Sequence, residues 1–257
     1  DAATQMPVPK FFNNVPVDQW TKALSINTPD DDVPFNFGSF LLRGNNRTVL
    51  LDTGFGEQGP YTEAEGAGGL LDRIHDLGVN LEEIDAVIHT HLHFDHAGGL
   101  LSPYVEGEAL RLAFPNATYV VGRAAWERSL RPHARDRASF IPELPGLLEE
   151  TGRLELVDGD RSDTLGDRVR LHYSEGHTPG LMLAELESEE GGIVFAGDLI
   201  PGRPWVHLPI TMGYDRYPER LIDEKRVLLE DLVSRRGRLF FTHDHACALG
   251  RVAQDER

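Results

Sequence analysis

Two short apolar runs, Ser39-Phe40-Leu41-Leu42 and Thr48-Val49-Leu50-Leu51, flank the turn-forming Gly44-Asn45-Asn46. That pattern predicts a β-hairpin over residues 38–51, ended by Asp52-Thr53-Gly54. A glycine-rich loop is expected over 54–69. Leu70, Leu71, Ile74 and Leu77 then recur at helical spacing, with Gly78 as a stop signal. Asn80 and Glu83 read as the N-cap and reciprocal partner of a short helix. The run Asp85-Ala86-Val87-Ile88 is strand-like, as are residues 118–121, 169–173, 182–186, 193–196 and 239–241. Residues 124–130 predict a short helix, and 131–145, punctuated by Pro132, Pro142 and Pro145, read as irregular. Pro218 opens a longer helix with Leu221, Ile222, Leu228, Leu229, Leu232 and Val233 as its apolar stripe, and Gly237 closes it. Strands alternating with loops and helices in this way predict an α/β layered fold. No linker divides the chain, so 1–257 is expected to be a single domain.

The 257 residues are enough for one substantial core. Forty-two acidic residues against 25 basic ones give a net charge of −17, which repels nucleic acid and anionic membranes. No apolar run approaches the ~20 residues that span a bilayer. The single cysteine, Cys247, excludes an internal disulfide and fits a reducing, cytoplasmic setting. Asp1-Ala2-Ala3-Thr4-Gln5 shows no signal-peptide pattern, though a chain starting at Asp1 leaves a removed leader open. Arg123, Arg128, Arg131, Arg135 and Arg137 form a local basic stretch. It reads either as a solvated face paired with Glu127 and Asp136, or as an anion-recognition or dimer surface.

The chemistry concentrates in His91-Leu92-His93-Phe94-Asp95-His96, followed by Ala97-Gly98-Gly99. Imidazole nitrogen and carboxylate oxygen are the donors that zinc and similar divalent ions take in catalytic sites. In an extended or turning segment His91 and His93 converge on one point, while Asp95 and His96 swing toward a second. That arrangement suits two adjacent metals better than one. The alternative is a histidine-rich surface loop that binds nothing.

The motif resembles the HxHxDH signature of the metallo-β-lactamase superfamily. Other landmarks of that family stand in the same order: Leu51-Asp52-Thr53-Gly54, Gly176-His177-Thr178-Pro179-Gly180, Phe195-Ala196-Gly197-Asp198 and Phe241-Thr242-His243-Asp244. The resemblance implies a four-layer αββα sandwich. It implies His91, His93 and His177 as ligands of a first metal, Asp95, His96 and His243 as ligands of a second, and Asp198 as the bridge between them. His245 competes with His243 for the last position. Asp52 is expected to accept a hydrogen bond from a ligand imidazole, with Thr90 and Asp244 helping in similar ways. His75, His89, His133, His172 and His207 are read as ordinary residues.

Two metals ~3.5–4 Å apart can share a water and bring its pKa toward neutrality, so that a bridging hydroxide attacks the substrate. Asp95 would orient that hydroxide and carry a proton to the leaving group. Zinc is the expected ion, and cobalt, manganese and iron accept the same donors. Among the branches, Asp198-Leu199-Ile200-Pro201, the segment from His207 to Asp215, the Tyr217-Pro218 helix start and the Phe94 form of the motif resemble stand-alone quorum-quenching lactonases, and Gly197-Asp198-Leu199-Ile200 also resembles methyl-parathion-hydrolase-like enzymes. The lactonases often carry a tyrosine three residues beyond the bridging aspartate, where this chain has Pro201. Tyr214 or Tyr217 is the substitute hydroxyl expected here. Trp126, Phe140 and Trp205 either line a substrate pocket or pack in the core. The reading is a dinuclear hydrolase opening a small-molecule lactone or related ester, as a homodimer if it follows that branch. An organophosphate or aryl-ester hydrolase is the first alternative, and a non-catalytic metal-binding protein the second.

Overall fold

A computed structural model describes residues 3–7, 16–24, 32–57 and 69–254. The N-terminal Asp1-Ala2 and the part of the expected glycine-rich loop at 58–68 lie outside the described residues. The chain forms two compact units. One runs from Phe37 to Asp167, and the other comprises Ala3–Asn36 and Arg168–Arg257.

The first unit is built on a mixed five-stranded sheet in the order β3-β4-β5-β6-β7. Its strands are β3 (Phe40–Gly44), β4 (Arg47–Leu51), β5 (Ala86–His89), β6 (Thr118–Gly122) and β7 (Leu154–Val157). β3 and β4 form the expected antiparallel hairpin, and Asn45 and Asn46 both take left-handed φ at the turn (50° and 57°). Asparagine tolerates that region, and a turn with two such residues matches the twist of the strands it joins. β4 to β7 run parallel. β5 is buried at every position, as a central parallel strand covered on both faces must be. Its neighbours Leu50, Ile84, Leu92, Phe114, Tyr119 and Leu148 share one apolar cluster with it. Helices α2 (Leu70–Asp76), α3 (Phe94–Ala97), α4 (Arg123–Leu130) and α5 (Leu144–Glu150) complete the unit. The capping box at Asn80 and Glu83 is present, with the Asn80 N–H donating to the Glu83 carboxylate at 2.7 Å.

Three local expectations need correction. α2 ends at Asp76, so Leu77 does not join its apolar face and is 63% exposed. The stretch expected to be irregular up to Pro145 gives way to α5, because proline fits the first turn of a helix, where no N–H is needed. The last helix ends one residue earlier than glycine placement suggested: Arg236, with φ 61°, takes the left-handed cap position ahead of Gly237.

The second unit carries a mixed sheet in the order β12-β11-β10-β9-β8. These strands are β8 (Val169–Ser174), β9 (Leu181–Leu186), β10 (Ile193–Phe195), β11 (Arg238–Phe240) and β12 (Leu249–Arg251). β10 pairs in parallel with β11, and the other pairings are antiparallel. A separate two-stranded sheet joins β1 (Ala3–Pro7) and β2 (Asp32–Asn36), and a short helix α1 (Val17–Leu24) lies between them in sequence. The long helix α6 (Pro218–Arg235) buries Leu221, Leu229 and Leu232, and with them Lys225. Among the described residues, no helix is long and apolar enough to cross a membrane.

Candidate functional site

In the first unit, β5 delivers the histidine run at its C-terminal end, where parallel strands of α/β folds present their loops. Asp52 stands just beyond the neighbouring β4, with left-handed φ of 49°. It is 1% exposed, and its carboxylate accepts from the Thr90 N–H (2.8 Å), the Thr90 hydroxyl (2.7 Å) and His96 Nδ1 (2.8 Å). With its proton spent on Asp52, the Thr90 hydroxyl accepts from His91 Nδ1 at 3.0 Å. This network assigns the Nδ1–H tautomer to His91 and His96 and leaves both Nε2 atoms as lone-pair donors. His91 Nε2 meets His93 Nδ1 at 2.9 Å, and His96 Nε2 lies 3.6 Å from the Asp95 carboxylate. All three imidazoles are buried, while the Asp95 side chain is 21% exposed.

The loop after the motif is seated by backbone contact. The Thr53 N–H donates to the His96 carbonyl (2.7 Å), and the Gly99 N–H donates to the Gly54 carbonyl (3.1 Å). A Cβ on Gly98 would lie 2.0 Å from the Phe55 carbonyl oxygen, and one on Gly99 would lie 2.1 Å from that of Thr53. Gly98→Ala should therefore cost about 2–3 kcal/mol of stability, since the clashing atoms are main chain and cannot rotate away. Thermal unfolding would show it as a Tm lower by roughly 4–12 °C. An unchanged Tm would mean the two loops are not in contact.

In the second unit, three residues from three separate loops converge. His177 follows β8, Asp198 follows β10 and His243 follows β11. Asp198 Oδ2 lies 3.2 Å from His177 Nε2, and its Oδ1 lies 2.9 Å from His243 Nε2. The outer nitrogens of both rings are engaged. His177 Nδ1 pairs with the Asp215 carboxylate at 2.9 Å, and His243 Nδ1 donates to the Asn36 carbonyl at 2.6 Å. Phe35 stacks on the His243 ring, with centroids 4.4 Å apart and planes 18° apart. The His243 N–H donates to the carbonyl of Pro201, so the residue standing in place of the tyrosine serves the site through its backbone. Burial pushes the Asp215 carboxyl up, and the His177 imidazole pulls it back.

These contacts fit a cation. A carbonyl acceptor fixes His243 as Nδ1–H, so a neutral ring turns an Nε2 lone pair toward the Asp198 carboxylate. The same opposition holds for His177, whose Nδ1–H is held by the Asp215 carboxylate. Lone pairs facing lone pairs at about 3 Å repel unless a proton or metal ion lies between them, and buried nitrogen and oxygen donors of this kind suit zinc.

His243 is buried against Asp198, whereas His245 is exposed. Asp244 does not play the part expected of it: its carboxylate holds Arg203 (2.8 and 3.1 Å) and accepts from the backbone N–H of Ala246 and Cys247. The Asp244 carboxyl is accordingly held low by the Arg203 guanidinium, against the upward push of burial. Of the three candidate pocket aromatics, Trp126 belongs to the core cluster and Trp205 packs edge-on to Phe35. Phe140 is the one that touches a motif histidine, edge-on to His93 at 4.9 Å. Tyr214 is 49% exposed and immediately precedes Asp215, and Tyr217 is 46% exposed. In the basic stretch, Arg123 pairs with Asp158 and Arg128 with Asp136. Asp215, Asn36 and Phe35 escaped the sequence reading because their partners lie 38 to 208 positions away and no local pattern announces them.

The metallo-β-lactamase superfamily's family model matches residues 39–243. The chain is 26% identical to N-acyl homoserine lactonase of Bacillus thuringiensis over 80% of each chain. It is 28% identical to N-acyl homoserine lactonase of Bacillus cereus over 65% of its own length and 64% of that protein's. Among solved structures, AidC, a dizinc quorum-quenching lactonase in complex with a product, superposes with a TM-score of 0.82 at 20% identity, over all of this chain and 89% of that one. The match to the family model, the two mixed sheets and the buried histidine and aspartate donors agree, and the chain belongs to the metallo-β-lactamase superfamily of metal-dependent hydrolases.

Proposed function

We propose that the chain acts as one hydrolase domain that opens a small-molecule lactone of the acyl-homoserine lactone kind, with two divalent metal ions, zinc foremost. His91, His93 and His177 would hold one ion, Asp95, His96 and His243 the other, and Asp198 would bridge them. The observation that carries this reading is the tethering of the outer nitrogens of His91, His96, His177 and His243, which aims their Nε2 atoms as lone-pair donors. The lactone class rests on the Bacillus relatives.

When bound, the metal pair would supply a hydroxide nucleophile at neutral pH and polarise the substrate carbonyl. The side chains do the rest. Asp52, Thr90, Asp215 and the Asn36 carbonyl hold the ligand rings in one tautomer and orientation. Asp95, the most exposed of the acidic donors, orients the attacking water and returns its proton to the leaving alkoxide. Tyr214 offers the substrate carbonyl a hydroxyl from the exposed loop beside Asp215. Tyr214→Phe should then lower kcat/KM about tenfold or more, and an unchanged value removes Tyr214 from the mechanism.

The test is ring opening across a panel of acyl-homoserine lactones by protein loaded with zinc or cobalt, with His96→Ala as control. Chain-length-dependent turnover that the control abolishes supports the proposal. No turnover, in protein shown to hold two metals, rejects the lactone and turns the assay to phosphotriesters and aryl esters. Protein that retains less than one metal per chain after loading rejects the catalytic reading altogether.

A further inference from the structure

Lys225 is a wholly buried charged group for which the proposed chemistry has no use. It lies in α6, one turn from Leu221 and one from Leu229, on the face that packs inward, and it is 0% exposed. Its Nζ donates to three main-chain carbonyls: Trp205 (2.8 Å), His207 (3.1 Å) and Ile210 (2.7 Å). An ammonium has three N–H bonds, and each finds an acceptor. A wholly buried cation is costly, and here the hydrogen bonds that compensate it all come from one segment of backbone. Burial pushes the Lys225 pKa down to about 8, with Asp215 pulling it back up, so the group remains an ammonium at neutral pH.

The gathered segment leads to the candidate site. Five residues beyond Ile210, Asp215 closes its own turn, accepting from the Met212 N–H at 2.6 Å and donating its N–H to the Met212 carbonyl at 3.1 Å. Its other carboxylate oxygen holds His177 Nδ1. The next two residues bind the same loop, with the Arg216 N–H donating to the His177 carbonyl and the Tyr217 N–H to that of Gly176. The path from Nζ to the His177 ring therefore passes through hydrogen bonds and one short loop, and Tyr214 rides at its exposed end.

We infer that Lys225 is a positioning residue. It draws the carbonyls of Trp205, His207 and Ile210 around one cation, and so sets the loop that carries Asp215 to His177 and presents Tyr214. This rests on His177 being a metal ligand, as proposed above. Loss of the ammonium then loosens the orientation of His177, which weakens metal binding, and displaces Tyr214, which raises KM.

The experiment measures zinc stoichiometry and Kd by chelator competition, with KM and kcat beside them, on the full chain. It compares wild type with Lys225→Met, Lys225→Arg, Asp215→Asn and the Lys225→Met/Asp215→Asn pair. Lys225→Met is expected to bind one zinc 10–100-fold more weakly, the range seen when a partner of a ligand histidine is lost. Asp215→Asn should give a similar loss, the pair should be little worse than either alone, and Lys225→Arg should recover part of it. Should Lys225→Met fail to fold, a two-glycine insertion between His207 and Leu208 opens the carbonyl ring at the surface and should weaken zinc in the same way. Zinc affinity at the wild-type level in the insertion variant or in folded Lys225→Met, or losses that simply add in the pair, would overturn the inference while leaving the metal reading intact. A wild-type protein that binds no zinc would overturn both.

Discussion

Asp198→Asn is expected to lower kcat/KM on the order of a thousandfold, equivalent to roughly 4 kcal/mol of transition-state stabilisation. The reason lies in what each carboxylate oxygen faces. One turns toward His177 Nε2 and the other toward His243 Nε2, both buried, and both rings already spend their protons elsewhere. A carboxylate can serve two cations at once, whereas an amide offers one acceptor and turns an NH2 against whatever occupies the other side. The substitution keeps the side chain's size, so the fold should survive, and the loss should appear as zinc bound at one equivalent instead of two. Metal analysis and kinetics on the same preparation decide it. Activity within tenfold of wild type, at full metal content, would exclude a bridging role for Asp198.

The second large effect concerns stability as well as activity. Asp52→Ala should destabilise the protein by about 3–5 kcal/mol, lowering Tm by roughly 6–20 °C, and weaken metal binding 10–100-fold. Three buried donors lose their acceptor at once: the Thr90 N–H, the Thr90 hydroxyl and His96 Nδ1. The freed Thr90 hydroxyl can then donate to His91 Nδ1, which reverses that ring's tautomer and blocks its lone pair at Nε2. Alanine is also strained at the left-handed φ that Asp52 adopts. Asp52→Asn, which tolerates that backbone and keeps one acceptor, should fall between the two. Equal losses in the alanine and asparagine variants would show that the network counts for less than the carboxylate's charge.

Where the pattern was local, the sequence announced the structure. The β3–β4 hairpin is marked by two apolar runs around Asn45-Asn46, and the motif from His91 to His96 carries its donors within six residues. What was not legible depends on distant partners. Phe35 and Asn36 become part of the site only because β2 returns to His243, and nothing near them shows it. Asp244 adjoins His243 in sequence, but its carboxylate is taken by the Arg203 guanidinium and backbone N–H instead. Lys225 did leave a signal: it occupies the position between Leu221 and Leu229 on the inward stripe of α6. A charged residue on an apolar stripe asks where its charge goes, and the answer lay in carbonyls 15 to 20 residues upstream.

The second unit is not one stretch of chain. Its β2 precedes the Phe37–Asp167 unit, and Asp244, with which β2 pairs, comes 208 positions after Asn36. At the ~5–20 residues per second of ribosomal synthesis, Phe35 and Asn36 wait about 10–40 s for the histidine they will cradle. The interposed unit has its whole sequence available in that interval and can fold first, with four of the seven proposed ligands in place. His243 is the last of the seven proposed ligands to be made. A fragment beginning at 168 would contain His177, Asp198 and His243 but none of the strand that steadies the last of them.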